Sequence, residues 1–478
     1  MRLRRLAWIL AALFLSSAAP TPAADDVDAR IAGSAMTEGG AAAFLESLTD
    51  TVGGRVTGSP DSRKASALIL DALKRAGYEN ARFEDASLEA RWTRGPASGR
   101  IVAPISRSLA VGSYGWVPGT TGEVTAELLD MGSPRAFDAA LPDRVRGAAV
   151  LVDPQQVGVD PSFVMRSRLA KRLADAGAAA MLLPSDKPGR MVYTSAFGFY
   201  PRGPLPVVSV AAEDTALLRR LLAKGPVRIA LDVHNAFDTS PYKERNVVAD
   251  LPGSDLKDEV VLLGAHLDSW DPAQGADDDG TGVAALVDAA RILKSLNVKP
   301  RRTIRFAFFF GEEEACLGSR AYVTAHADEL DRLRAVLVMD SGAGKPRGIE
   351  TQGRADAEPA VRAVLARTAP LGASEIRTEA SFDRDNGPFM VAGVPAFTLW
   401  VDEGDYDKRH HAPTDTFEHV DLELLARDTA IMAIAARALA DAPAPPARRQ
   451  SPAEAAEFMR KVGVEGTKKM VYAEDAGR

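Results

Sequence analysis

The stretch EVVLLGAHLDSWDPAQGADDDGTG, residues 259–282, decides how this chain folds. An apolar run, 260–265, breaks at His266-Leu267-Asp268. A turn rich in glycine and acid then opens a helix with one apolar face made by Val283, Leu286, Val287, Ala290 and Leu293. A buried strand ending in His and Asp delivers polar groups to the carboxyl edge of an α/β sheet, where open sheets bind their ligands. The stretch reads as half of a metal site.

Working outward, three later runs end in the same way. Residues 302–310, RTIRFAFFF, stop at Gly311-Glu312-Glu313-Glu314, and residues 335–339 stop at Asp340-Ser341-Gly342. Residues 394–400 lead through an acidic loop to His410-His411-Ala412-Pro413-Thr414-Asp415-Thr416. Four strand-like runs closed by His, Asp or Glu supply borderline-to-hard ligands suited to zinc. A Glu triplet taken alone reads as a solvated loop. Its place after a Phe-rich strand and before Leu317-Gly318-Ser319 marks it as functional.

The remaining chain sets the frame. Its 478 residues exceed one ordinary core, so two or three domains are expected. With 46% hydrophobic and 26% charged residues the composition is globular, and a net charge of -7 argues against nucleic acid as a partner. Residues 1–24 pattern as a secretory signal: basic Met1-Arg2-Leu3-Arg4-Arg5, an apolar stretch over 6–15, then small residues up to Ala24. The apolar stretch is short for a membrane span, so the expectation is export to the periplasm or beyond, without stable membrane association after cleavage. Cys316 is the single cysteine, which excludes an intrachain disulfide. Residues 25–119 form the N-terminal part of the main domain, with Ser59-Pro60 capping a helix that Gly77 closes. Residues 120–233, whose short strands carry no His or clustered acids, form an inserted non-catalytic domain. The catalytic domain covers 234–442. A Pro-rich linker and charged tail, dispensable for chemistry, cover 443–478.

The order His266-x-Asp268, Gly275-Ala276-x-Asp278-Asp279-Gly280-x-Gly282, Gly311-Glu312-Glu313 before Leu317-Gly318-Ser319, Asp340, and His411-x-x-x-Asp415-Thr416 resembles the di-zinc peptidases of metallopeptidase family twenty-eight. Within that family it resembles the carboxypeptidase Q branch, to which HLDSWD (266–271) and Thr57-Gly58-Ser59 also fit. The resemblance implies a phosphorylase/hydrolase-like zinc exopeptidase fold of α/β class. In it a mixed, mostly parallel sheet is flanked by helices and carries an inserted, smaller, β-rich protease-associated-like domain. It implies two Zn2+ per chain, bridged by Asp278, with His266 and Asp340 on one ion and Glu313 and His411 on the other. Asp277 and Asp279 stand one residue away from the bridging position and are the register alternatives. Asp268 falls behind a ligand. Glu312 becomes the general base toward a water shared by the metals, and His410 polarises the substrate carbonyl. Asp385 matches a family acid, but Asn386 stands where many relatives have His, and Gly342 departs from the longer acidic pattern of the close branch. His234, His326 and His419 are expected outside the site, and Cys316 lacks the His partner a nucleophile needs. The implied activity is hydrolysis of short peptides by an aminopeptidase or dipeptidase, with a homodimer as the compatible assembly. The alternatives are a single-zinc acyltransferase of the glutaminyl cyclase type and a silent binding module of the same fold.

Overall fold

The four runs that end in His, Asp or Glu pair with one another. Strands Arg302–Phe309, Leu256–His266, Leu333–Val338 and Ala396–Asp402 lie side by side in that order, all parallel. Their residues are buried on both faces, which a parallel sheet covered by helices on each side requires. All four carboxyl ends therefore fall on one edge. Tyr242–Leu251 and Arg82–Leu88 extend the sheet on one side by antiparallel pairing. On the other side Lys345–Glu350 pairs antiparallel to Ala396–Asp402, and Glu375–Arg377 completes eight strands. The sheet is mixed and parallel through its centre, the α/β class expected.

This computed structural model describes residues 24–132, 143–153, 163–196 and 202–471. The expected signal segment lies, apart from Ala24, outside the described residues. Among the described residues no helix is long and apolar enough to cross a membrane.

The helix after the metal-site turn, Thr281–Ser295, departs from the one-sided pattern: it is buried around nearly its whole circumference. Helices Ala24–Glu38, Gly40–Thr51 and Leu422–Asp441 pack over the face left free by the sheet. Its alanines permit that close approach. The start of the chain is tied down by Asp28, which pairs with Arg367 at 2.6 Å and Arg437 at 2.7 Å. Helix Pro60–Arg75 begins as expected, with the Ser59 hydroxyl accepting from the Ser62 N–H at 3.1 Å.

A second eight-stranded sheet has its own core. Its order is Arg107–Leu109, Ala97–Ala103, Arg228–Val233, Val124–Asp130, Ala149–Leu151, Ala180–Pro184, Val207–Val210, Val111–Ser113. The run from Val124–Asp130 to Val207–Val210 is parallel, and helices Phe163–Asp175 and Ala212–Leu222 belong to it, so this unit is itself α/β in texture. It begins at Ala97, ahead of the expected boundary at Thr120. Ala97–Ala103 joins through pairing with Arg228–Val233, more than a hundred residues on, and no local composition marks such a long-range partner.

The C-terminal segment also differs from the linker and tail expected over 443–478. Helix Pro452–Lys461 carries a capping box between Ser451 and Glu454, and Met459 and Val464 are buried with Phe389, Met390 and Val394. Its apolar face at 458, 459 and 462 is too short for periodicity to reveal, yet it seals one side of the catalytic domain.

Candidate metal centre

The loop after Leu256–His266 is shaped by an arginine distant in sequence. Arg55 is fully buried, and its guanidinium donates to the carbonyls of Leu267 (2.8 Å), Gln274 (2.8 Å) and Gly275 (3.0 Å). The carbonyls of Leu267 and Gln274 are thereby satisfied, and that of Gly275 gains a second donor beside the Gly280 N–H at 3.2 Å. Gly275 (φ +62°) is needed there, because a Cβ would lie 2.2 Å from the Ser269 hydroxyl. Gly282 is needed for a different reason: its Cβ would stand 2.4 Å from the Asp279 carboxylate.

The three consecutive aspartates have separate partners. Asp277 pairs with Arg409 at 2.8 Å. Asp279 spends both oxygens on backbone, accepting from the N–H of His266 (3.1 Å) and of Gly282 (3.0 Å). Asp278 turns Oδ1 toward His266 Nε2 (3.2 Å) and Oδ2 toward His411 Nε2 (3.2 Å). Asp415 fixes this turn by accepting from the N–H groups of Asp277 (2.6 Å) and Asp278 (3.3 Å).

Two ligand sets meet across Asp278. His266 Nε2 lies 3.6 Å from Asp340, and His411 Nε2 lies 3.0 Å from Glu313 Oε2. Asp279 and His410 are also close: His266, Asp279 and Asp340 offer ligand atoms within 4.8 Å of one another, as do Asp278, His410 and His411. Asp279 is nevertheless committed to backbone donors, and His410 Nε2 stands farther from Asp278, at 3.6 Å. His410 stacks between His411 and Tyr406. Asp268 sits 3.6 Å behind His266 Nδ1 and accepts from the Thr57 hydroxyl at 3.1 Å. Its carboxylate also accepts from the N–H of Glu312 (3.2 Å) and Glu313 (3.4 Å), so one acid orients both a histidine and the Glu turn.

Electrostatically the cluster is short of positive charge. Among the described residues no Lys or Arg is paired with Asp278, Asp340, Glu312 or Glu313. Burial works against a proton on His266, but Asp340, Asp268 and Asp278 outweigh it and raise the imidazole well above its usual range. Burial pushes Glu312 well up, and Asp340 and Glu313 add to that. Glu313 Oε1 is buried with no hydrogen-bond partner. Buried carboxylates accompanied by imidazoles and by no paired Lys or Arg among the described residues are a donor set shaped for cations.

A cleft of about 370 Å³ opens over this cluster, lined by Glu312, Asp340, Arg384, Glu403, Tyr406 and His410 among others. A larger hollow of about 540 Å³ between Arg347, Arg377 and Trp400 shares the Asp383, Arg384 and Glu403 wall but is lined by none of His266, Asp278, Glu313, Asp340 and His411. Cys316 lines the cleft with its Sγ 4.0 Å from Glu312, its thiol pushed well up by burial. Asp385 lies behind, accepts from the Ser319 hydroxyl, and is raised to about 7 by burial. His234, His326 and His419 lie elsewhere, engaged with Asp232, Glu84 and Thr416.

Sequence reading missed four participants. Arg55 is one, shaping the metal-site loop from a distant part of the chain. Trp270 donates to Glu313 Oε2 at 2.6 Å, Trp116 donates to Glu314 at 2.7 Å, and the Tyr193 hydroxyl lies 3.1 Å from His411 Nδ1. Trp116 and Tyr193 belong to the second sheet's part of the chain. No motif announces them, because hydrogen bonds of this kind need only one polar atom at the right place.

An α/β sheet that gathers His, Asp and Glu from four parallel strand ends around an anionic cleft defines a metal-dependent hydrolase. The model of Peptidase family M28 matches residues 246–436. Carboxypeptidase Q of Rattus norvegicus is 30% identical over 412 residues, 82% of this chain and 84% of that protein. The crystal structure of a peptidase M28 precursor from Shewanella amazonensis SB2B superimposes with a TM-score of 0.81 at 28% identity, covering 90% of this chain and 99% of that one. BSAP, a zinc aminopeptidase from Bacillus subtilis, shares the fold with a TM-score of 0.65 at 21% identity over 83% of this chain and 93% of its own. The chain belongs to peptidase family M28 and is a metallo-exopeptidase.

Proposed function

We propose that the protein is an exported two-zinc exopeptidase that hydrolyses short peptides as an aminopeptidase or dipeptidase. The observation that carries this reading is the Asp278 carboxylate, whose two oxygens face two separate sets, His266 with Asp340 and His411 with Glu313. One carboxylate between two such sets is what a pair of metal ions sharing a bridge requires. The unpaired buried Glu313 Oε1 supports the fit, and the zinc aminopeptidase fold supports zinc as the ion. When bound, zinc supplies Lewis acidity that makes water deprotonable near neutral pH and polarises a carbonyl.

In this reading each residue of the chain has a task. Asp268 holds His266 and the Glu turn in place. Glu312, raised by burial and free of the metal set, takes a proton from the attacking water and returns it to the leaving amine. His410, at the cleft wall, donates to the developing oxyanion. The second sheet is the inserted domain and closes one side of the cleft. The signal segment sends the protein out of the cytoplasm.

The test is metal content together with product analysis. The purified protein should carry two zinc ions per chain and release residues from free N-termini, or cleave dipeptides alone. One zinc per chain with cyclisation of N-terminal glutamine would replace this reading with the acyltransferase.

A further inference from the structure

The two imidazoles at the metal sets are supported differently. His266 has Asp268 behind it, on the same sheet edge. Among the described residues no carboxylate stands behind His411 Nδ1; the Tyr193 hydroxyl stands there at 3.1 Å, with the two rings 5.3 Å apart. Tyr193 lies just ahead of the Val207–Val210 strand, in the part of the chain that builds the second sheet. The neighbouring Thr194 N–H donates to the His411 carbonyl at 2.9 Å. His411 itself is held at φ 59°, a left-handed conformation that a non-glycine residue keeps only when its surroundings over-determine it.

Tyr193 is anchored in turn. Arg166, on helix Phe163–Asp175, bonds both Tyr193 and Tyr114, and the Tyr193 N–H donates to the Ser209 hydroxyl at 3.2 Å. The ring packs against Tyr114. The phenol is thus held by the second sheet and aimed at one nitrogen of one histidine.

From this geometry we infer that Tyr193 is a positioning residue of the His411 metal set, so that the inserted unit is a structural member of one metal site and not of the other. An imidazole that ligates through Nε2 carries its proton on Nδ1 and donates it to a fixed acceptor, which sets tautomer and ring orientation. Tyr193 Oη is that acceptor for His411 at 3.1 Å, whereas Asp268 stands 3.6 Å from His266 Nδ1 on the same side of its ring. The inference rests on the two-metal reading and adds an asymmetry to it: disturbing the second sheet at Tyr193 loosens one ion and leaves its neighbour.

The experiment is Tyr193→Phe in the full chain, loaded with zinc and titrated with a chelator, and loaded separately with cobalt for absorption spectroscopy. The isosteric ring keeps the packing and removes the hydroxyl, which is the acceptor facing His411 and the group that Arg166 bonds. One of two equivalents should dissociate about 10- to 100-fold more readily, the other should be held as in the wild type, and only part of the cobalt spectrum should change. Tyr193→Gln, which returns an acceptor oxygen, should recover part of the loss. Two equivalents held with wild-type affinity and spectrum would overturn the inference. So would parallel loss of both ions with a lowered melting temperature of the metal-free protein, which would assign Tyr193 to packing between the sheets. A wild-type protein holding one ion would instead refute the two-metal reading itself.

Discussion

Glu312, Glu313 and Glu314 are adjacent and chemically identical, yet each meets a different environment. Glu313 meets His411 and Trp270, Glu314 meets Trp116, and Glu312 faces the cleft with the Cys316 thiol 4.0 Å away. Under the proposed mechanism Glu312→Gln should keep both metals and lower kcat by about 10²- to 10⁴-fold; metal analysis beside steady-state kinetics checks this. Equal loss of metal would make Glu312 a ligand. A second prediction concerns Glu244, which is fully buried and accepts from the Gly58 N–H at 2.9 Å and the Ser62 hydroxyl at 3.2 Å. Burial pushes its carboxyl up to about 7, against 4.5 for the free group. The folded state then binds more protons than the unfolded state between those values, so this residue's contribution to stability is greatest below pH 4.5 and falls as pH rises to 7. Urea unfolding of Glu244→Gln should lose that fall. The wild-type and variant curves should diverge by up to about 3 kcal/mol across the interval.

At the scale of elements, helix Pro452–Lys461 is the informative case. A charged tail after a Pro-rich linker reads as an appendage. Its contribution is visible in Met459 and Val464, which fill space against the helix Asn386–Val391 and its neighbours. Met459→Ala should cost about 2–5 kcal/mol of stability, and Ser451→Ala, which breaks the capping box, about 1 kcal/mol. Chemical denaturation of the metal-loaded protein checks both. An unchanged midpoint for Met459→Ala would return the segment to the status of a tail. The parallel strands behave oppositely. Buried on both faces, each carries its assignment in its own composition, so four strand ends and their order along the chain were legible from sequence.

For the molecule as a whole, the metal centre concentrates buried negative charge between elements drawn from residues 266 to 411, and its stability is linked to cation binding. Exhaustive chelation should abolish peptidase activity and lower the melting temperature, and restored zinc should raise it with concentration. The expected stabilisation is about 2.7 kcal/mol when free zinc is one hundredfold above its dissociation constant. Calorimetry across a zinc series tests it, and a melting temperature indifferent to zinc would separate the carboxylate cluster from metal binding.

Local chemistry determined much by itself. Apolar runs closed by His, Asp and Glu specify strands, an edge and the metal-ligand types, because each depends on residues adjacent in the chain. Tertiary structure decided which of Asp277, Asp278 and Asp279 faces both histidines, since Arg409 and two backbone N–H groups take up the oxygens of Asp277 and Asp279 while Asp415 accepts from the turn's own N–H groups. It also decided that Arg55, Trp270 and Tyr193 touch the site, and that the second sheet starts at Ala97. Each of these depends on a partner hundreds of residues away, or on one polar atom reaching one acceptor. A contact of that kind leaves no periodicity or composition in the sequence around it.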